Sequence, residues 1–111
     1  MNPPQRKTLL EAPLGQSPSI ARCRMASIEL APGQAAGLHR HPCDVVGYIV
    51  SGTIRLQIEG QPEQRLCVGD AFHEPKDTVI PHFDNASCDE PAVFIAVYLL
   101  PEDEDQLIEM L

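Results

Sequence analysis

His39 and His41 stand one residue apart in the stretch GLHRHPCDVVGYIVSG, residues 37–52. In an extended strand, residues i and i+2 point the same way about 7 Å apart, so the two imidazoles can address one point while Arg40 faces away. The chemistry this offers is metal ligation: neutral imidazole is a common ligand for divalent transition metals, and a third ligand from a distant strand would close the clamp. An H-x-H pair is equally the pattern of two surface residues, so its neighbours decide its meaning. Cys43 would continue the alternating row, but Pro42 intervenes and an isolated cysteine commonly serves as a small buried hydrophobe.

The other two histidines are His73 and His82. Between them, Glu74 precedes Pro75. Glu74 shares the parity of Phe72, which turns it inward if Phe72 is core, and a desolvated carboxylate there could act as a general base or as a further ligand. Glu74 is the candidate catalytic residue. His73 has the opposite parity and is expected at the surface or an interface; Tyr48 is expected in the core, its hydroxyl within reach of a cavity.

The elements that must position these groups are short. Turn signals recur at Pro32-Gly33, Ser51-Gly52, Gly60-Gln61-Pro62, Val68-Gly69-Asp70, Pro75-Lys76-Asp77 and Asp84-Asn85, and runs of five to ten residues rich in Val, Ile, Leu and Phe lie between them. This is the pattern of an all-β barrel or sandwich, and eleven prolines argue against long helices. Ile54, Leu56 and Ile58 alternate with polar residues, as in a strand with one wet face. VVGYIV (45–50) and AVFIAVYLL (92–100) are apolar on both faces, so their outer face needs a cover. Either the arm around KTLLEA (7–12) folds back on its own barrel, or a homodimer forms in which the arm takes part. After Pro101 the acidic start of EDEDQLIEML predicts a short C-terminal helix.

A chain of 111 residues has the size of a single domain, with an N-terminal arm over 1–19, a barrel over about 20–100 and an acidic tail over 101–111. At 43% hydrophobic residues it is expected to fold around a core. Sixteen Asp and Glu against eight Lys and Arg give a net charge of -8, which offers phosphates no basic surface and sets nucleic acid aside as a partner. No apolar run approaches the length of a membrane span and the N-terminus has no apolar signal region, so a soluble cytoplasmic protein is expected. Four dispersed cysteines without a C-x-x-C pair are expected to be free thiols.

Gly33 is followed by five residues, then His39-Arg40-His41, three residues to Val45 and six to Gly52; downstream, Gly69 is followed by five residues to Pro75, and then by His82 and Asn85. These spacings resemble the two motifs of the cupin family. The resemblance implies an antiparallel double-stranded β-helix, or jelly-roll barrel, with a divalent transition metal (Fe, Ni, Mn, Cu or Zn) in its mouth. Carried over by position, His39, His41 and His82 match the family's imidazole ligands. The family's glutamate ligand is replaced by Val45, the glycine of the proline motif by Asp77, and the spacing around His82 is shifted. Three histidines without an acid are similar to the site type of thiol and diketone dioxygenases in this superfamily. The resemblance therefore implies a metal-dependent, dioxygenase-type enzyme acting on a small chelating organic molecule; a metal-dependent isomerase or lyase and a non-catalytic small-molecule binder remain the alternatives.

Overall fold

The short apolar runs fold as strands because each has one face to bury and a turn residue at its end. The computed structural model describes residues 3–14 and 19–111; residues 1, 2 and 15–18 of the expected arm lie outside the described residues. The strands are β1 (Arg22–Leu30), β2 (His39–Arg40), β3 (Asp44–Ser51), β4 (Ile54–Gln57), β5 (Gln64–Leu66), β6 (Ala71–Glu74), β7 (His82–Asn85), β8 (Ala92–Leu100) and β9 (Glu109–Met110). One sheet has the order β1-β8-β3-β6, a second the order β5-β4-β7, and β2 pairs with β9. All these pairings are antiparallel.

The core lies between the two larger sheets. In β8 the alternation is complete: Ala92, Phe94, Ala96, Tyr98 and Leu100 are buried, and the residues between them are half-buried on the outer face. Ile54 and Leu56 of β4, with Ile58 beyond it, are buried as their alternation predicts. Gly47 belongs to the inner row of β3, opposite Phe72, and a Cβ there would come within 2.2 Å of the Phe72 ring. The missing side chain lets that ring lie against the strand, where it packs with Phe83 and Phe94 at centroid distances of 5.1 and 6.0 Å.

Asn85 ties the loops at one end of the barrel. Its amide donates to the carbonyls of Leu30, Ala31 and Glu90, and its side-chain oxygen accepts from the Ser87 N–H. A buried amide with its hydrogen-bonding capacity used in this way fixes three chain segments at once.

The C-terminal segment departs from the expected helix. No residue among those described is helical, and the tail instead runs extended across the barrel, pairing Met110 with His39 and Glu109 with Arg40. The reason is the partner available: β2 offers free backbone groups, Arg40 makes two hydrogen bonds to the Glu109 carboxylate, and the Arg22 guanidinium donates to the carbonyls of Pro101 and Glu104. Those contacts outweigh the small preference of an acidic first turn for helix.

Candidate metal centre

His39 and His41 sit on a short stretch held from three sides. His39 exchanges backbone hydrogen bonds with Ile80, β9 pairs along the other edge, and the His41 carbonyl accepts the Asp77 N–H at 2.8 Å. Asp77 adopts φ 57°, the left-handed conformation that Asp tolerates better than most residues and that Gly adopts freely. Both imidazoles are buried, with ring centroids 4.9 Å apart and planes at 78°. The sharing of one face by i and i+2 is thus met.

Each ring is fixed through Nδ1. His39 Nδ1 lies 2.6 Å from the Gly37 carbonyl and His41 Nδ1 lies 2.7 Å from the Leu107 carbonyl. A carbonyl only accepts, so each Nδ1 carries a proton and donates it. Both Nε2 atoms are thereby left to face inward, and they meet Glu74 Oε2 at 3.3 and 2.7 Å. Two imidazole lone pairs and a carboxylate oxygen repel unless a cation stands among them. In the absence of metal a proton on His39 relieves that repulsion, and the two pKa directions run that way. Burial works to lower the His39 pKa, but the Glu74 carboxylate and the Gly37 carbonyl outweigh it and leave His39 above its ordinary value. Burial likewise works to raise Glu74, yet its bonds to His39 and His41 hold it below the ordinary carboxylate value.

The donor set also suits a metal. One ligand atom from each of His39, His41 and Glu74 lies within 4.8 Å of the others, and all three residues are buried. Two histidines and one carboxylate would suit a divalent transition metal, and the same donor types hold iron in non-haem Fe(II) oxygenases. The hydrogen bonds from Nδ1 to carbonyls are the outer contacts that orient metal-binding histidines.

The structure does not bring His82 into this group. Phe83 and Asn85 take the inward positions of β7, which turns His82 and Asp84 outward; His82 Nδ1 lies 3.0 Å from Asp84 Oδ2 and its side chain is 38% exposed. Strand parity is the physical reason, because the spacing before Asn85 leaves His82 on the wrong face for the barrel mouth. Tyr48, expected in the core, is 40% exposed on the outer face, since Val45, Gly47 and Ile49 take the inner row. Cys43 is buried, its thiol pushed up to about 11 chiefly by burial, and it packs as a hydrophobe outside the group. Asp44 turns away from the site and accepts from His73 Nε2 at 2.8 Å and from the Lys76 N–H.

A cavity of about 130 Å³ opens beside the three ligand atoms. Phe72, whose inward parity set that of Glu74, is one wall; sequence reasoning missed the others: Tyr98, whose ring centroid stands 5.9 Å from that of His41, Phe83, Phe94, and Ile108 from the tail. Tyr98 is raised above its ordinary pKa by burial and then by the nearby Glu74 charge. The parity of AVFIAVYLL was the available signal, since Tyr98 shares a face with Phe94.

A family model described as the cupin domain, Cupin_2, matches residues 26–98. This chain belongs to the cupin family. Among solved structures, this cupin is similar to a cupin-like protein from Thermotoga maritima (26% identity, TM-score 0.64, covering 80% of this chain and 64% of that one). It is similar in fold to a DMSP lyase from Ruegeria pomeroyi (19% identity, TM-score 0.66, 79% and 42% covered) and to an oxalate oxidase in complex with the substrate analogue glycolate (18%, 0.69, 80% and 46%). The chain thus spans less than half the length of those two enzymes and less than two thirds of the Thermotoga protein. No curated protein matches it.

Where the first cupin motif has glutamate, this cupin has Val45, and the register shows what stands beside it. Val45 pairs with Glu74 on one side and with Tyr98 on the other, so the three form a row across β6, β3 and β8 facing the cavity. The carboxylate reaches the histidines from the neighbouring strand.

Proposed function

We propose that this cupin is a metal-dependent enzyme in which His39, His41 and Glu74 hold a divalent transition metal and a small chelating organic molecule reacts in the adjoining cavity, by chemistry of the dioxygenase type. The observation that carries the reading is the convergence of two Nδ1-anchored histidines on one buried carboxylate oxygen. A metal bound there would supply Lewis-acid and redox activation. The chain's own residues do the rest. The Gly37 and Leu107 carbonyls hold the imidazoles at a fixed rotation, Glu74 supplies the single negative charge, and the phenylalanine wall keeps water out, which strengthens every electrostatic contact inside.

A lyase or isomerase is the second reading, favoured by Tyr98, a phenol that can carry a proton in the same row as Glu74. The fold likeness to a DMSP lyase is compatible with it.

The test is metal analysis of the purified protein and of its His41→Ala and Glu74→Ala variants, with oxygen uptake on a panel of diketones, thiols and flavonoids. The wild type is expected to hold iron or another transition metal close to stoichiometrically, each variant to lose at least about tenfold in affinity, and uptake to follow metal content. Turnover of a panel compound without oxygen uptake moves the assignment to the second reading; undiminished metal in both variants overturns the site.

The reading includes a homodimer. The outer face of the β1-β8-β3-β6 sheet forms an apolar groove from Met25, Val46, Tyr48, Ile95 and Val97, with Leu9 and Leu10 of the arm beside it. Met25, Tyr48, Leu9 and Leu10 remain 70%, 40%, 50% and 37% exposed in the single chain, and a second copy would cover them.

A further inference from the structure

The cavity is polar at one pole only. His39, His41 and Glu74 occupy that pole, Tyr98 flanks it, and every other lining residue is hydrocarbon or aromatic, including Ile28, Phe72, Phe83, Phe94, Ala96 and Ile108. Among the described residues, no lysine, arginine, serine, threonine, asparagine or glutamine lines it. A second charged or hydroxylic group on a ligand would therefore be stripped of water at the far end with nothing to bond to. Such a group costs about tenfold to a hundredfold in affinity.

Charge selects the head of the ligand. A divalent ion held by two neutral imidazoles and one carboxylate leaves one positive charge in a buried site, and an uncompensated buried charge is strongly unfavourable. A monoanion cancels it; a dianion reverses it. Volume selects the body. A dry cavity of roughly 150 Å³ accommodates a benzene molecule. With about 130 Å³ available, part of it taken by the head, the space suits a body of about three to five carbon atoms.

We infer that the substrate of this cupin is a small monoanion with a two-oxygen head and a short, unsubstituted hydrocarbon body, the head binding at His39, His41 and Glu74 and the body lying against Phe72, Phe83 and Phe94. The inference rests on the metal-site reading above and narrows it: small dicarboxylates and polyhydroxylated acids are excluded.

The test uses the full chain loaded with cobalt(II), whose visible bands respond to changes in coordination. Formate, acetate, butyrate, pentanoate, octanoate and succinate are titrated as probes. Affinity is expected to rise by about three- to fourfold per methylene, the transfer free energy of a buried CH₂, as far as butyrate or pentanoate, and then to fall at octanoate. Succinate is expected to bind at least about tenfold more weakly than butyrate. In an Ala96→Leu variant, which takes space from the cavity, the chain-length optimum among the acids that bind should move to a shorter acid. Cobalt that fails to load overturns the metal site and this inference together. Cobalt that loads while affinity is flat with chain length, while succinate matches butyrate, or while no acid binds, leaves the metal site standing and overturns the substrate class alone.

Discussion

At the scale of single residues, His39 and Glu74 fix how the site responds to pH. The His39 pKa is raised in the folded chain, so its contribution to stability is complete below about 6.5 and disappears as pH rises through the raised value. The Glu74 pKa is lowered, so its contribution is complete above the ordinary carboxylate value and disappears as pH falls through the lowered one. The metal-free protein is therefore expected to be most stable between those two limits, which thermal melting across pH measures. Metal must displace the proton on His39, so loading should begin to fail as pH drops while still above about 6.5, whereas Glu74 stays ionised. Loading that persisted down to the range where Glu74 protonates would show that His39 is not a ligand.

At the scale of elements, the C-terminal strand is part of the site. Leu107 supplies the carbonyl that orients His41, Ile108 lines the cavity, and Met110 pairs with His39. A chain ending after Gln106 is expected to lose about ten- to a hundredfold in metal affinity, the usual effect of removing a group that orients a ligand. Its melting temperature should change far less, because the core lies between the two larger sheets. Equilibrium metal titration of the truncated and full chains decides it, and equal affinities would assign the tail a covering role only.

At the scale of the whole molecule, the cavity and an outward apolar groove lie on opposite faces of the β1-β8-β3-β6 sheet. Alternation in β3 and β8 produces both: Val45 and Tyr98 face the cavity while Val46 and Val97 face out. Charge placed on the outer face should therefore separate assembly from metal binding. A Met25→Glu, Tyr48→Asp double variant is expected to convert a dimer to a monomer in light scattering and to keep its metal. A wild type that is monomeric at all concentrations would remove the dimer from the reading.

Local sequence determined the strands, the inward pairing of His39 with His41, the inward parity of Glu74 and the outward apolar faces, because side-chain alternation and turn residues act over a few positions. Only the tertiary structure decided which third group meets the histidines. That choice depends on the register of β6 against β3, a pairing between residues far apart in the chain, which sets Glu74 beside Val45 while parity carries His82 outward. The tail was decided in the same way: its acidic start favours helix locally, but the open edge at β2 and the Arg40 and Arg22 guanidinium groups hold it extended.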